Sequence, residues 1–525
     1  MKPGCIRQTD LPNTSPLFAD LVYHYDRVAP FYEHHYLDRD SYGRASAKIR
    51  YPDGRRHALV AALRELNDPS PQLDLLARSG TVAVVTGQQV GLFSGPCYTI
   101  YKALTAARLA AQLTSHGIPA VPVFWLATED HDFDEINHAW VFDAAKRPHQ
   151  LLVEAVGMAN RPVGGIAAES YPTPQLRQIL SGHPFGDEVS DMVEASYQPG
   201  RTMGQAFADL LRLLMPDLGL LYLDPMQPSL RNLAAPLLRE AVHAAPLLSE
   251  KLLQRNQQLL DAGYHAQVHI EAKTSLFFLL ENGQRHTLRR DGDQYVNART
   301  RYSSGELAAR AGHISPNAVL RPVVQDYLLP TAAMIGGPAE LAYLAQSQVI
   351  YHELSQPAPV VVPRSGFTLL DGRAVKLMER YHLAPKDIFG GLEAIRTRVS
   401  EQLVPPPLRD SLQSAKAQTS ALLDSMQMEL ARFDATLGEA TARSRSKILH
   451  QLAKMEAKTA RECLRRDERA AAEAEYLHHL IYPHNHLQER IYTMLPFLAQ
   501  HGPDLIHRIR ESVHLDCPDH VVLAV

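Results

Sequence analysis

The acidic run Glu129-Asp130-His131-Asp132 contains the residue types best suited to acid–base chemistry in this sequence. A carboxylate beside an imidazole orients the ring and raises its basicity, so His131 with Asp130 or Asp132 is a candidate general base. The same side chains could instead bind a divalent metal ion through oxygens and one nitrogen. A third interpretation is a solvated acidic helix start, which the helix dipole favours.

The residues that follow this run bear on how it is positioned. If a helix begins at Asp132, its periodicity places Asp134 and His138 on one face. The run itself comes directly after Val121–Leu126, an apolar segment typical of a buried strand. We therefore expect the acidic run at the carboxyl end of a strand, and this position favours a functional role over a solvated helix start.

A glycine-rich segment, residues 86–102, is the second candidate and suits the binding of an anion. Glycine lets backbone N–H groups approach a ligand closely, and the start of the following helix favours negative charge. The side chains and glycines that we assign to binding here are Thr86, Gly87, Gly91, Ser94, Gly95, Tyr98 and Lys102. The segment has neither a Gly-Lys-Ser/Thr sequence nor a GxGxxG pattern, so a merely tight strand–helix turn remains the alternative.

Arg321 and the pair Gly336-Gly337 form a third candidate. An arginine can pair with a carboxylate through two parallel hydrogen bonds, although a lone arginine is more often part of a structural ion pair. Gly-Gly followed by Pro338 after a strand predicts a helix entry with free backbone amides. Each of these two features alone is a weak signal for an anion-binding position.

Alternating strand-like and helical segments predict an α/β fold that brings the three candidates to one edge of a sheet. Thr81–Val85 and Val121–Leu126 are typical of strands buried on both faces, and Tyr98–Leu113 between them has helical spacing. Further predicted strands are Gly219–Leu223, Ala332–Ile335 and Pro359–Val362. Open α/β sheets bind ligands beyond the carboxyl ends of their strands, so we expect the candidate loops to converge there.

A small antiparallel insertion and two helices are predicted in the middle of the chain. Ser275–Leu280 and His286–Leu288 flank Asn282-Gly283, a pair that favours the type I′ turn of a β-hairpin. Helices are predicted over about Pro228–Ala244 and Leu247–Ala262. The insertion would therefore be attached to a mainly parallel frame.

Apolar residues at steps of three and four predict a helical arm beyond residue 400. The members of this stripe are Leu408, Leu412, Ala415, Thr419, Leu422, Met426, Leu430, Phe433, Leu437, Ile448, Leu452, Met455 and Thr459. We expect two helices that fold back at Gly438 as an antiparallel hairpin, each about 45 Å long for about 30 residues. An arm of this length cannot bury its stripe on one domain, so we expect it to form a homodimer.

We expect three parts in the chain of 525 residues. Residues 1–390 would form the α/β core, with insertions at about 145–215 and 265–315. Residues 391–476 would form the arm, and residues 477–525 would form a helical segment that returns to the core. These boundaries follow the changes in apolar spacing described above.

The composition argues against several classes of protein. Lys and Arg number 53 against 57 Asp and Glu, a net charge of −4, which does not suit a protein that coats nucleic acid or an anionic membrane. No apolar run reaches the roughly 18 residues of a membrane helix, and residues 1–8 lack the apolar segment of a signal peptide. The four cysteines have no CxxC spacing, which argues against a zinc ribbon or disulfide framework. We expect a cytoplasmic protein.

The three candidate stretches resemble the signatures of the bacillithiol-biosynthesis cysteine-adding enzymes, the BshC family of cysteine ligases. The first signature is carried by residues 85–96 with Tyr98, Thr99 and Lys102. The second is carried by Phe124-Trp125, Glu129-Asp130-His131-Asp132-Phe133 and Glu135-Ile136-Asn137-His138. The third is carried by Leu320-Arg321-Pro322, Gln325-Asp326, Gly336-Gly337-Pro338-Ala339-Glu340 and Ala342-Tyr343. Leu487-Gln488-Glu489-Arg490 is similar to a motif near the family's C-terminus, so the resemblance spans nearly the whole chain.

The resemblance implies an α/β fold with a Rossmann-like parallel-sheet core, similar to class I nucleotidyltransferases, with connecting insertions. It also implies an antiparallel coiled-coil arm through which the chain forms a homodimer. The implied activity is that of a ligase that joins L-cysteine to the amine of glucosaminyl-malate through an amide bond, which makes bacillithiol. ATP with Mg²⁺ is the expected activator, and no resident metal site, nucleic acid or membrane partner is implied.

The expected convergence of these loops at one sheet edge motivates a mechanistic hypothesis for individual residues. His131, oriented by Asp130 or Asp132, would deprotonate the sugar amine or assist the leaving group. The loop at 86–102 would bind a carboxylate or a phosphate, and Arg321 and Lys102 would hold the carboxylates of malate or cysteine. The other residues expected in substrate or nucleotide binding are Gln88, Gln89, Gln325, Asp326, Gly336, Gly337 and Glu340.

Two other functions stay open for this sequence. The first is a Mg²⁺-dependent nucleotide phosphohydrolase that uses Asp130, His131 and Asp132. The second is a non-enzymatic scaffold, in which the coiled-coil arm is the working part and the α/β core only senses a ligand. The products formed from cysteine, glucosaminyl-malate and ATP would distinguish all three.

Overall fold

The computed structural model describes residues 4–154, 158–297 and 300–525 of the chain. Residues 1–3, part of the start in which we found no signal peptide, lie outside the described residues. So do residues 155–157 and 298–299, which fall within the two predicted insertions. Within the described ranges, no helix combines the length and the apolar character needed to cross a membrane.

Strands and helices are numbered in chain order. The strands are β1 (Gly4–Ile6), β2 (Val82–Gln88), β3 (Ala120–Leu126), β4 (His138–Phe142), β5 (Pro148–Leu152), β6 (Leu221–Leu223), β7 (Thr274–Glu281), β8 (Gln284–Asp291), β9 (Gln294–Val296), β10 (Arg301–Ser303), β11 (Ile314–Pro316), β12 (Thr331–Gly336), β13 (Val360–Pro363), β14 (Phe367–Leu370) and β15 (His520–Ala524). The helices are α1 (Pro16–Tyr23), α2 (Arg39–Lys48), α3 (Asp53–Leu63), α4 (Pro71–Leu76), α5 (Tyr98–Ser115), α6 (Phe133–Ile136), α7 (Thr173–Leu180), α8 (Gly186–Ser196), α9 (Met203–Leu214), α10 (Pro228–Asp261), α11 (Ser304–Ala309), α12 (Arg321–Leu328), α13 (Pro338–Glu353), α14 (Gly372–Arg380), α15 (Pro385–Ile388), α16 (Leu392–Leu403), α17 (Pro406–Phe433), α18 (Ala435–Arg466), α19 (Glu468–Ile481), α20 (Gln488–Ile491), α21 (Leu495–His501) and α22 (Leu505–Glu511).

The described chain divides into two compact units. The α/β unit contains residues 4–368 and 489–521, and the helical unit contains residues 369–488 and 522–525. The boundary that we expected at residue 390 lies within the helical unit, between α15 and α16. The boundary that we expected after residue 476 lies within α19, and the chain re-enters the α/β unit at residue 489.

A five-stranded parallel sheet forms the centre of the α/β unit. Its strand order is β13-β12-β2-β3-β6, and every neighbouring pair is parallel. Residues 82–86 of β2 and all of β3 are buried, because helices such as α5 cover the faces of the sheet. The predicted Rossmann-like parallel sheet and its strands are therefore confirmed, as is the helix predicted from Tyr98.

The antiparallel insertion is also confirmed, and it is larger than predicted. Strands β7 to β11 form a second sheet in the order β10-β9-β8-β7-β11. Asn282 and Gly283 both have positive φ angles, of 52° and 73°, as the predicted type I′ turn requires. The sheet extends to Pro316, so its last strand leads directly toward α12.

Two of the predicted helices join into one. The sequence predicted two helices separated between Ala244 and Leu247, but α10 runs from Pro228 to Asp261 through both Pro236 and Pro246. Each proline removes one backbone hydrogen bond. The apolar face of α10 is nevertheless buried in the core from Leu230 to Leu259, and this burial outweighs the lost bonds.

The helix predicted from Asp132 through His138 is wrong in its length. Helix α6 is a single turn that ends at Ile136, and His138 begins β4. Strand β4 pairs antiparallel with β5, with His138 opposite Leu152. Because pairing with β5 takes over from the helix, Asp134 and His138 do not share a helical face.

Two long helices form the predicted antiparallel hairpin in the helical unit. The Lys416 Nζ atom lies 2.7 Å from a carboxylate oxygen of Glu456, and the Arg445 Nε atom lies 2.7 Å from one of Asp424. The first pair links the beginning of α17 to the later part of α18, and the second links the later part of α17 to the beginning of α18. Only an antiparallel arrangement of the two helices allows both contacts. The hairpin is therefore confirmed.

The turn of the hairpin is at Asp434, so the prediction that Gly438 interrupts the helices is wrong. The Asp434 carboxylate accepts hydrogen bonds from the backbone N–H groups of Thr436 and Leu437, at 2.7 and 3.3 Å, and caps α18. Gly438 lies inside α18, where a Cβ atom would be 2.6 Å from the Ala431 Cβ atom. The glycine therefore permits close approach of the two helices rather than a break.

Much of the predicted apolar stripe is exposed to solvent, whereas Leu412, Leu430 and Leu452 are half-buried. Leu422 is 63% exposed, Met426 48% and Phe433 85%. Leu423, one position from the stripe, is buried. The stripe thus leaves an apolar face uncovered on the helical unit, and formation of a homodimer through it stays a prediction.

Candidate active site

Direct contacts bring the three candidate stretches together at the carboxyl ends of the parallel strands. Gln89, just after β2, donates from Nε2 to the Asp130 Oδ2 atom at 2.7 Å. Lys102 on α5 forms an ion pair with Glu340 on α13, the helix that follows β12. The glycine-rich segment therefore touches both of the other candidates, as the strand order predicts.

Asp130 is held as an ionised carboxylate. Its Oδ1 atom accepts a hydrogen bond from the His131 backbone N–H at 2.7 Å, and the Arg285 Nη1 atom lies 3.4 Å away. Burial opposes ionisation, but the hydrogen bonds from the His131 backbone N–H and from Gln89, together with the charge of Arg285, outweigh it and hold the pKa of Asp130 well below its usual range. Asp130 is therefore a poor proton acceptor at neutral pH, and its catalytic role stays a prediction.

Arg285 reaches this site from the antiparallel insertion, and sequence reasoning missed it. Its Nη1 atom lies 3.0 Å from the His131 Nδ1 atom, and its guanidinium stacks over the Phe278 ring at 3.9 Å. Its side chain is only 7% exposed. Arg285 lies 154 positions after His131 in the chain. Nothing in the sequence around a single arginine on a predicted hairpin indicates that it contacts so distant a residue.

Asp132 does not contact the His131 ring in the described structure. It is exposed and accepts a hydrogen bond from the Glu135 backbone N–H at 3.4 Å, which caps the single turn of α6. The interpretation as an acidic helix start therefore describes Asp132, whereas Asp130 is half-buried and contacts Gln89 and Arg285. A catalytic role for Asp132 stays a prediction.

The beginning of the glycine-rich segment and Tyr98 are partly exposed, whereas the turn between them is mostly buried. Gln88 and Gln89 are half-buried, but Gly91, Ser94 and Gly95 are buried. The turn at Leu92–Ser94 packs inward, with the Phe93 backbone N–H donating to the Tyr197 hydroxyl at 2.9 Å. Direct ligand contact by this inner part would require the turn to move, and its binding role stays a prediction.

Two positions of the segment are needed for packing. A Cβ atom on Gly87 would lie 2.7 Å from the Trp125 carbonyl oxygen, so only glycine fits between β2 and β3 there. The Thr86 hydroxyl donates to the Ile335 carbonyl at 3.1 Å and ties β2 to β12. By contrast, the buried hydroxyls of Ser94 and Thr99 have no hydrogen-bond partner in the described structure.

Lys102 has all of its donors engaged by the protein. Its ammonium donates to the Gly87 carbonyl at 3.0 Å and to the Gln88 Oε1 atom at 2.8 Å, in addition to its pair with Glu340. An ammonium has three N–H groups, so none remains for a substrate. Burial lowers the pKa of Lys102, and the charge of Glu340 opposes this shift. Tyr98 packs beside this pair, with its ring centroid 5.7 Å from the ammonium.

Glu340 and the two glycines before α13 form the other half of this cluster. The Glu340 carboxylate accepts a hydrogen bond from the Gly337 backbone N–H at 2.8 Å, which satisfies one of the amides that we expected to be free. A Cβ atom on Gly336 would lie 3.1 Å from the Glu340 Cβ atom. Glu340 therefore links the start of α13 to Lys102.

Arg321 is the candidate with donors to spare. It donates to the Gln325 Oε1 atom at 2.9 Å and to the Tyr343 hydroxyl at 2.8 Å, which engages two of its five N–H groups. Gln325 in turn donates to Asp326 at 3.0 Å, and both are buried. Burial raises the pKa of Asp326 to about 6, and its hydrogen bonds with Tyr351 and Gln325 oppose the shift. Gln325 thus orients the Arg321 guanidinium, and Asp326 fixes Gln325.

A buried polar layer lies beneath the site, and sequence reasoning did not predict its contacts, although Glu129 belongs to the candidate acidic run. Glu129 accepts a hydrogen bond from the Ser315 hydroxyl at 2.8 Å and lies 3.9 Å from the Arg231 Nη1 atom. Near the other end of the site, Arg364 forms two hydrogen bonds with Glu489, of which the one from Nη1 is 3.0 Å long. Glu489 belongs to the C-terminal motif, so that motif contributes a buried ion pair.

The described residues offer little for metal binding or thiol chemistry. Across residues 4–154, 158–297 and 300–525, no group of three or more His, Cys, Asp or Glu side chains is arranged to hold a metal ion. Cys97 is fully buried, and burial raises the pKa of its thiol. Cys97 is therefore a small apolar residue in the core rather than a nucleophile.

Comparison with known proteins covers the whole chain. Residues 5–365 match the family model described as “Bacillithiol biosynthesis BshC, N-terminal Rossmann-like domain”, and residues 367–525 match “Bacillithiol biosynthesis BshC, C-terminal coiled-coil domain”. The chain is 54% identical over 521 residues to a protein of Solibacter usitatus, with 99% of each chain covered. It is 35% identical over 537 residues to one of Koribacter versatilis, with 100% of each covered. Both relatives carry the name “Putative cysteine ligase BshC”. The chain belongs to the BshC family of bacillithiol biosynthesis.

Proposed function

We propose that this chain is a ligase that joins the carboxyl group of L-cysteine to the amine of glucosaminyl-malate, forming the amide bond of bacillithiol. The observation that carries the proposal is the convergence of three family-like stretches at one sheet edge, in a chain whose relatives are named as cysteine ligases. Cysteine must stay reduced for this reaction, so we also propose a cytoplasmic location.

Arg321 is the residue that we assign to substrate carboxylate binding. Three of its N–H groups are not engaged by the hydrogen bonds described above, and two parallel N–H donors match the two oxygens of a carboxylate. The support from Gln325 and Asp326 keeps the guanidinium in place before the substrate arrives. A malate or cysteine carboxylate would therefore bind without a large cost of side-chain ordering.

The saturated cluster of Lys102 and Glu340 has a different role in this proposal. Lys102 was expected to hold a carboxylate, but its three donors already bind the protein. It fixes the end of β2 to the start of α13, and through Gln88 it shapes the wall of the site. We therefore assign it to architecture.

We propose that ATP with Mg²⁺ activates the cysteine carboxyl group. A free carboxylate has no good leaving group, and ATP when bound would supply a phosphate-based one. The chemistry of the spare donors fits an anionic group, since the Arg321 guanidinium and the unpartnered hydroxyls of Ser94 and Thr99 can all donate. The two buried hydroxyls would reach such a group only after the turn at Leu92–Ser94 had moved. The two hydroxyls are buried beside the first turn of α5, whose N-terminus favours an anion.

The experiment is a product assay with purified protein. Glucosaminyl-malate, cysteine and ATP with Mg²⁺ are combined, and the thiol product, AMP and ADP are measured by mass spectrometry, with each substrate omitted in turn. We expect bacillithiol only with the complete mixture and one nucleotide consumed per product. Absence of product from the complete mixture would refute the ligase proposal, and phosphate release without cysteine would favour the phosphohydrolase.

Arg321→Lys gives the matching test of the binding site. A lysine keeps the charge but loses the two-pronged geometry, so KM for one carboxylate substrate should rise about tenfold or more. Arg289→Lys is the control, because Arg289 is exposed on β8 of the insertion. Unchanged KM values for both substrates in Arg321→Lys would remove Arg321 from carboxylate binding.

A further inference from the structure

We infer that His131 acts as a hydrogen-bond donor through its Nε2–H group, and that Arg285 is the positioning residue that sets this tautomer. The tautomer is a property of the chain alone. Its catalytic consequence rests on the proposed ligase function. The inference replaces the expectation that His131 is the general base, and it starts from one contact between two side chains.

The contact between Arg285 and His131 determines where the ring proton lies. The Arg285 Nη1 atom is 3.0 Å from the His131 Nδ1 atom. A guanidinium is always protonated and can only donate, so at this distance Nδ1 must present its lone pair. A neutral imidazole carries one ring proton, which therefore sits on Nε2.

Asp130 does not compete for the same ring nitrogen. Its Oδ1 atom lies 3.6 Å from His131 Nδ1, too far for a hydrogen bond, and it accepts the His131 backbone N–H instead. The usual arrangement, in which a carboxylate accepts a proton from Nδ1 and leaves Nε2 free as a base, is therefore absent at this histidine. Here the arginine has taken the position of the carboxylate.

Arg285 is itself fixed on three sides. Its Nε atom donates to the Ser315 hydroxyl at 3.0 Å, and its Nη2 atom donates to the Pro316 carbonyl at 2.8 Å. Its guanidinium packs on Phe278, whose ring centroid is also 5.4 Å from that of His131. The Nη1 edge can therefore point only toward His131 and Asp130, and the insertion sheet sets the direction of the donor.

A histidine in this state suits electrostatic stabilisation rather than proton removal. The His131 side chain is 28% exposed, so a ligand can reach the ring. In the proposed reaction the amine nitrogen forms the new bond to the carboxyl carbon, and the bond from that carbon to the leaving group breaks. The amine proton leaves with the departing anion or passes to water. The Nε2–H group would donate to the carbonyl oxygen, where negative charge develops.

A spectroscopic experiment tests the tautomer without any reaction. Protein labelled with ¹⁵N in its histidines is studied by two-bond proton–nitrogen correlation, and His131→Asn identifies the His131 signals. We expect a protonated Nε2 and an unprotonated Nδ1 in the wild-type protein. Arg285→Lys should change this pattern, whereas the control Arg289→Lys should not. A protonated Nδ1 in the wild-type protein would overturn the inference.

A kinetic experiment distinguishes between a hydrogen-bond donor and a general base as the role of His131. A glutamine side chain can donate an N–H group from near the Nε2 position, but it cannot accept a proton as a base. We expect His131→Gln to keep kcat within about tenfold of wild type, and His131→Ala to lose roughly 100- to 1,000-fold. If kcat of His131→Gln is as low as kcat of His131→Ala, the donor role is wrong.

The two proposals fail in distinguishable ways. If the wild-type protein forms no product, the ligase function fails, while the nitrogen spectrum still decides the tautomer. If product forms but Nδ1 carries the proton, the ligase function stands and the role of Arg285 fails. Arg285→Lys should lower kcat without raising KM, since Arg285 acts through His131 and not on the substrate.

Discussion

Replacing Lys102 by methionine tests whether this buried lysine is architectural. Methionine keeps a flexible chain of similar length but leaves Glu340 without its cation. The Lys102 side chain is 3% exposed and that of Glu340 is 20% exposed, so solvent can replace the lost charge only in part. Removing one partner of a buried pair costs roughly 3–5 kcal/mol. Glu340 keeps its hydrogen bond from the Gly337 N–H, so we expect about 3 kcal/mol, the lower end of that range.

Tryptophan fluorescence in guanidinium chloride provides the assay. The chain has two tryptophans, Trp125 and Trp140, and both belong to the α/β unit that contains Lys102. With a denaturant dependence of roughly 5 kcal/mol per molar, a loss of about 3 kcal/mol lowers the unfolding midpoint by about 0.6 M. The signal reports this unit alone, so unfolding of the helical unit does not obscure it.

The double variant Lys102→Met/Glu340→Gln is the matched control. It removes both charges, so most of the lost stability should return. A midpoint that is unchanged in Lys102→Met, or that does not recover in the double variant, would refute the architectural role. If stability recovers but KM for cysteine or glucosaminyl-malate rises more than tenfold, Lys102 binds substrate after all.

Two further predictions concern the exposed stripe and the buried pair near the C-terminus. The double variant Leu422→Lys/Met426→Lys should sediment as a monomer. The control Met428→Lys, on the opposite face of α17, should sediment as a dimer. If the double variant is also a dimer, the stripe is not the dimer interface. Burial opposes the ionisation of Glu489, but Arg364 outweighs it and lowers the Glu489 pKa. This group therefore adds stability that is full above the unfolded pKa of about 4.3 and is lost as pH falls through the folded pKa. Glu489→Gln should lower the guanidinium chloride midpoint of unfolding at pH 7 and make this midpoint depend less on pH in the acidic range. If the midpoint falls as steeply with decreasing pH in the variant as in the wild-type protein, the prediction is wrong.

The parallel sheet was predictable because its strands are buried on both faces and therefore read as continuous apolar runs. Val121–Leu126 is such a run, and the structure extends it by one residue. Helix ends were less predictable, because local signals compete. The glycine at position 438 predicted a break in the helix, yet the turn lies at Asp434, which caps α18. Gly438 instead allows the two helices to pack closely.

The candidate site was predictable in its position but only partly in its members. The run at Asp130 and His131 follows a recognisable strand, and its place at the sheet edge follows from that. Arg285 could not be found in the same way, because an arginine on a hairpin looks like any solvated residue until the fold brings it to His131. Periodicity also cannot show that the donors of Lys102 are all engaged, since this depends on the positions of three acceptors.

The strand order of the core has a consequence for synthesis on the ribosome. Strand β2 is central, but one of its neighbours, β12, begins at Thr331, about 240 residues after β2 ends at Gln88. At about 5–20 residues per second, β2 would wait roughly 12–50 s with one edge unpaired. An apolar strand edge that is open for so long invites pairing with other nascent chains. Efficient production of this protein should therefore depend on chaperones that shield β2 until β12 has emerged.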